Sequence, residues 1–144
     1  MGSQYSQLKK YTNQGNEEKC LEIYRRHAKL RKRLNANVSI DDTTFDTYMH
    51  VSAQKGMVEF LKILLYEANG NPNTLNRSNQ NVLHSCCNSN NDQRQYECMQ
   101  IILQWYQKAQ IRSQLRRLES EININEQDIV RPVAFFSPVK SQFV

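Results

Sequence analysis

At 144 residues, with 39% hydrophobic and 23% charged side chains, the chain has the size and composition of one soluble domain with a modest core. No apolar run approaches the roughly 20 residues that span a bilayer, and the N-terminus has no apolar stretch that would act as a secretory signal. Four cysteines at irregular positions, 20, 86, 87 and 98, do not read as a disulfide framework. A cytoplasmic chain with reduced thiols is expected, and the net charge of +5 directs attention to anionic partners.

The chain opens Met1-Gly2-Ser3-Gln4-Tyr5-Ser6. Gly2 followed by Ser6 fits the N-myristoylation pattern, with Lys9 and Lys10 after it. The same opening is also that of a leader left by an expression vector. A single acyl chain holds a membrane marginally and needs a second signal. Residues 4–14 and 16–34 read as two helices broken at Gly15-Asn16. Leu21, Tyr24, Ala28 and Leu30 share one face of the second at three- and four-residue spacings. Asn16 before Glu17 and Glu18 is a helix start, with a capping side chain and then acids in the first turn. Arg25, Arg26, Lys29, Arg31, Lys32 and Arg33 fall within nine residues. Such a run suits an anionic membrane surface, peripheral to which the chain would sit, or nucleic acid. It also suits a solvated helix end whose cations complement the macrodipole. No aromatic residue is interleaved among the cations, which argues against nucleic acid.

Residues 35–46 are polar and turn-forming. Beyond them a phrase is written twice: Thr47-Tyr48-Met49-His50-Val51-Ser52-Ala53-Gln54-Lys55-Gly56, then Asn81-Val82-Leu83-His84-Ser85-Cys86-Cys87. His50 and His84 are 34 apart, close to the 33-residue ankyrin period. The helix after Gly56 carries Val58, Leu61, Leu64 and Leu65 on one face. Gly56 suits a left-handed turn between antiparallel helices, and Gly15 holds the equivalent place in a degenerate first unit. Asn69-Gly70-Asn71-Pro72-Asn73 leads into the next unit. There a longer turn, Asn88 to Asp92, precedes an outer helix from about Gln95 to Lys108 that buries Met99, Ile102, Leu103 and Trp105. Residues 106–121 keep helical character, with Leu115 and Leu118 three apart. Ile122 to Asn125 then read as a strand-like lead-in, and Arg131-Pro132-Val133-Ala134-Phe135-Phe136-Ser137 as a damaged third copy of the phrase. The expectation is an all-α ankyrin-repeat solenoid of about three repeats plus an incomplete fourth. Its parts are an N-terminal capping repeat over 1–34, repeats over 45–73 and 76–108, and a helical spacer with a truncated, partly frayed repeat over 109–144. Such an array presents a binding surface.

Three details go beyond the repeat. They are the Met1–Ser6 opening, the run Asn16-Glu17 into Cys20-Leu21-Glu22-Ile23-Tyr24, and Cys98-Met99-Gln100-Ile101-Ile102-Leu103-Gln104-Trp105 after an Asn-rich insertion, with a long spacer to Pro132. Together they resemble the N-terminal region of the ankyrin-repeat and in-between-RING (IBR) domain proteins, Ariadne-like RING-between-RING ubiquitin ligases. The resemblance covers residues 1–105, and 106–134 by spacing alone. It implies a targeting region for protein ubiquitination. The zinc-bound module that transfers ubiquitin through a cysteine thioester lies far downstream in that family, and nothing in this chain matches it. Without C-x-x-C pairs, Cys20, Cys86, Cys87 and Cys98 lack the spacing of such zinc sites.

No catalytic, cofactor-binding or metal-ligating residue is therefore expected, and the chain itself is not read as an enzyme. His50, His84 and Gly56 are read as structural repeat residues. Cys86 and Cys87 take small-residue positions of the repeat, where free Cys acts as a small hydrophobe. The expected partner is a protein, with an anionic membrane surface as a further one, and the chain is expected to be a monomer. A stand-alone lipid-anchored adaptor is the alternative, ahead of a basic nucleic-acid-binding module.

Overall fold

The computed structural model describes residues 3–87 and 93–129, with side chains through residue 122. Gly2, the turn at 88–92 and the third copy of the repeat phrase at 131–137 lie outside the described residues. Regular structure among the described residues is helical: α1 (Gln4–Gln14), α2 (Glu17–Arg26), α3 (Ala28–Arg33), α4 (Tyr48–Gln54), α5 (Val58–Tyr66), α6 (Val82–Cys87) and α7 (Gln93–Ile129). One isolated antiparallel bridge joins Ser39 and Thr47. The chain divides into two compact units, Met1–Trp105 and Tyr106–Val144.

In the first unit the helices pair and the pairs stack. Helix α1 packs on α2 and α4 on α5, while α1, α4 and α6 form one layer and α2 and α5 another. The pairing follows from tight turns. Ser3 caps α1 by accepting the Ser6 N–H. Gly15, left-handed at φ 74°, ends the helix, its N–H donating to Thr12 O and that of Asn16 to Tyr11 O. Gly56 plays the same part after α4 at φ 69°, and a Cβ there would stand 2.8 Å from the Arg94 Cβ. Only glycine meets both demands, the left-handed backbone and the close approach of α7. The core runs from Leu8, Cys20 and Ile23 through Tyr48, Met49, Phe60 and Leu64 to Val82 and Ile102, all buried.

Three sequence expectations are corrected in the first unit. Residues 16–34 form two helices, because His27 adopts an extended backbone (φ −115°, ψ 96°) between α2 and α3. In an unbroken helix Leu30 would sit about 120° around the axis from Tyr24. The break lets Leu30 reach the core while Ala28 is exposed and Leu21 half-buried. The outer helix α7 buries Gln95, Cys98, Ile101 and Ile102; Met99 and Trp105 are half-buried, and Leu103 is 43% exposed. Contacts at its first turn set that rotation: Gln95 Nε2 donates to Gln54 O and Cys86 Sγ to Gln95 O. Val58 is likewise half-buried, and Phe60 takes its place in the α5 core face.

In the second unit, residues 122–125 are helical, not strand-like, as part of α7. No Gly or Pro occurs from Gln93 to Arg131, so nothing local stops the helix. Along it Ile111, Leu115, Leu118 and Ile122 are each more than half exposed.

Candidate interaction surface

The duplicated phrase builds the same local device twice. Thr47 caps α4, its Oγ1 accepting the Met49 and His50 N–H groups. His50 Nδ1 accepts the Thr47 N–H at 3.2 Å, completing a capping box with His in the place of the usual acid. Its Nε2 then donates to Gln80 O at 2.9 Å, thirty residues on. These partners place the ring proton on Nε2. His50 is fully buried. At the second box Asn81 stands where Thr stood: its Oδ1 accepts the His84 N–H at 2.9 Å, and its N–H donates to His84 Nδ1 at 3.4 Å. His84 is exposed.

The turns that precede these helices are joined edge to edge. Asn37 Oδ1 accepts the Asn71 N–H at 2.7 Å, and its Nδ2 donates to Asn69 O. Asn76 Nδ2 donates to Asp46 Oδ1 at 2.8 Å. Asp41 Oδ1 accepts the Thr43 and Thr44 N–H groups, which hold its carboxyl below the usual range. That turn drives Phe45 into the left-handed region at φ 60°, rare for a bulky side chain. Phe45 remains 44% exposed, and the Arg77 guanidinium lies 4.2 Å over its ring. The Arg77 N–H donates to Thr44 O. An aromatic ring and an arginine, both exposed on rigid backbone, are the residue types that anchor protein interfaces.

The outer layer has braces that sequence reasoning missed. Helix α5 has no side-chain cap of its own at Met57. Glu17 supplies it from the neighbouring helix pair, its Oε2 accepting the Phe60 N–H at 3.0 Å and its Oε1 lying 3.5 Å from Arg94. At the other end Tyr24 OH donates to Glu67 Oε1 at 2.8 Å; burial, with Glu67 beside it, pushes the phenol up to about 12. Both bridges span 43 residues, so α2 and α5 run in fixed register. In the sequence Glu17 is one more first-turn acid; only the register gives it a second role.

Cys20, Cys86 and Cys98 are buried and Cys87 is exposed. Burial pushes the Cys20 and Cys86 thiols up to about 11, away from the thiolate that nucleophilic chemistry needs. No group of three His, Cys, Asp or Glu side chains among the described residues is placed to hold a metal ion. No helix among them is long and apolar enough to cross a membrane.

The basic run closes α2 and fills α3. Arg25, Arg26, Lys29, Arg31, Lys32 and Arg33 are all exposed. Arg31 folds back, its Nη1 donating to Tyr24 O and Arg25 O, and so caps α2 across the His27 break. Arg26 pairs with Glu22 at 3.5 Å. Arg25, Lys29, Lys32 and Arg33 extend beyond these contacts.

No protein-family model matches the chain, and no solved structure matches it. The chain is similar to the ankyrin repeat and IBR domain-containing protein 1 of Mus musculus, at 27% identity over 124 residues, covering 73% of this chain and 11% of that protein. Similarity to the Homo sapiens protein of the same name has the same identity and coverage. The chain therefore spans about a tenth of the length of the curated relatives it matches.

Proposed function

We propose that this chain is an ankyrin-type protein-interaction module, related to the N-terminal region of RING-between-RING ubiquitin ligases and serving to target ubiquitination. The observation that carries this reading is the duplicated histidine box, in which His50 both closes its own helix start and reaches the backbone of the following turn. A device of that kind makes each helix pair the template for the next, which is how a repeat array stays rigid. Similarity to two proteins named for ankyrin repeats and an IBR domain supports the same reading. On it, the repeats run over 1–34, 45–73 and 76–108, and a spacer with a truncated repeat takes up 109–144. The partner is a protein met by the turn tips around Phe45 and Arg77. The chain contributes no catalytic residue; zinc and the thioester chemistry belong to a downstream module of the relatives.

The test has two arms. Immobilised chain and a Phe45→Ala/Arg77→Ala variant, matched for helicity, are exposed to cell extract, and the retained protein is identified and titrated back. A saturable partner lost with the variant is expected; equal retention by both would remove the turn tips from the interface. In the second arm the chain is incubated with ubiquitin-charged conjugating enzyme. A thiol-sensitive ubiquitin adduct on any of its cysteines would overturn the non-catalytic assignment.

A further inference from the structure

From residue 110 to residue 122 every position on α7 is exposed. Ile111, Leu115, Leu118 and Ile122 follow one another at spacings of four, three and four, and at 100° per residue they lie within an arc of about 60°. The helical course of residues 122–125 is what adds Ile122 to the stripe. A 4-3-4 spacing is the seam of a coiled coil, with Leu115 and Ile122 at a positions and Ile111 and Leu118 at d positions. Arg112 and Glu119 flank the stripe on one side, at e positions, and Gln114 and Glu121 on the other, at g positions. Among the described residues no ion pair engages Arg112 or Glu119. The stripe reads Ile-Leu-Leu-Ile with the same spacing in either direction.

We propose that this face of α7 pairs antiparallel with the same face of a second copy of the chain. Such a pair is isologous: a two-fold axis crosses the seam between residues 116 and 117, and each contact occurs twice. Leu115 meets Leu118 of the second copy and Ile111 meets its Ile122, so four layers close with side chains of equal size. On one flank Arg112 faces the second copy's Glu119, offset by about 3 Å along the axis, and Glu119 faces its Arg112. Charge complementarity thereby selects both the occupant and the direction. Between residues 108 and 122 a parallel pair would set Gln114 against Glu119, and Lys108 against Lys108 across the seam, with no opposite charges matched. The interface spans about two heptads, at the low end of specific protein interfaces, so association in the micromolar range is expected. The monomer expected from the sequence is then the dilute form of the chain.

The full chain is followed by sedimentation equilibrium from about 5 to 500 µM, a range that brackets micromolar association. A reversible monomer–dimer equilibrium is expected. Leu115→Ala/Leu118→Ala keeps good helix formers on an exposed face and should weaken the dimer by about a hundredfold or more. Circular dichroism at a concentration where both forms are monomeric checks the fold. Arg117→Ala/Ser120→Ala, away from the stripe, should change the equilibrium less than about threefold. Arg112→Glu and Glu119→Arg should each weaken self-association about tenfold, because both flanking pairs become like-charged. Arg112→Glu/Glu119→Arg should restore it, and the two single variants, when mixed, should pair with each other. A chain that stays monomeric throughout would overturn the proposal and assign the stripe to a different occupant. A dimer indifferent to Leu115→Ala/Leu118→Ala would overturn it as well. A leucine-dependent dimer that the charge exchange neither weakens nor restores would refute the antiparallel register. Species larger than a dimer would refute the closed isologous pair.

Discussion

Glu17 offers the sharpest test of how successive helix pairs hold together. Its carboxylate accepts the Phe60 N–H at the uncapped start of α5, and Phe60 is fully buried. Truncation in Glu17→Ala leaves that N–H without its acceptor. A hydrogen bond to a charged group contributes about 1.5–3 kcal/mol, and the loss of a cap costs about 0.5–2 kcal/mol. These describe one interaction and are not summed. The ion pair with Arg94 adds little, because the guanidinium side is 65% exposed and screened pairs contribute about 0–1 kcal/mol. The expected loss is about 2–3 kcal/mol, a fall of roughly 10 °C in melting temperature for a unit of this size. Glu17→Gln keeps an acceptor and should lose about 1 kcal/mol. Urea titration followed by circular dichroism, with Glu18→Ala as the exposed control, gives the comparison. If Glu17→Ala and Glu18→Ala fall within about 0.5 kcal/mol of each other, the cap that α2 lends to α5 does not stabilise the fold.

The two histidines should separate cleanly. His50→Ala removes a buried ring and leaves the Thr47 N–H unsatisfied, while Gln80 O keeps only the Asn76 N–H, at about 2–4 kcal/mol, whereas His84→Ala, exposed, should cost about 1 kcal/mol or less; similar losses in urea titration would contradict the bridge. The rotation of α7 predicts that Ile102→Ala costs about 2–5 kcal/mol, comparable to Leu64→Ala, and Leu103→Ala under about 1 kcal/mol; the reverse order would restore the face expected from the sequence. The thiols set an alkaline limit. With folded pKa raised to about 11 for Cys20 and Cys86 from 9.0, the unfolded chain loses those protons first. Stability is complete below pH 9 and falls as pH rises towards 11, by about 2 kcal/mol per thiol. Melting curves across that range check the slope, and Cys20→Ala/Cys86→Ala should flatten it. Under native conditions Cys87 should react with a thiol reagent well before Cys20, Cys86 and Cys98; equal rates would refute their burial.

Much of the helical plan is local and was legible in the residues. Gly15 and Gly56 mark left-handed turns, Asn16 carries a capping oxygen, and the spacing of Leu61, Leu64 and Leu65 gives one face to bury. Each of these acts within a few residues, so composition and period suffice to find it. What the tertiary structure decided depends on register between distant segments. The break at His27 follows from the advantage of burying Leu30, which no local signal announces. The rotation of α7 is set by Gln95 against Gln54 and Cys86, not by the apolar pattern, since Met99, Ile101, Ile102 and Leu103 offer more than one face. Glu17 reads as a first-turn acid until α2 lies beside α5, and Phe45 reads as a loop residue until Arg77 arrives over its ring. A side chain forty residues away can complete a cap or select a helix face only after the helix pairs have stacked. That information resides in the packing, because a short sequence window carries propensities and periods but not the partners that burial brings within hydrogen-bonding distance.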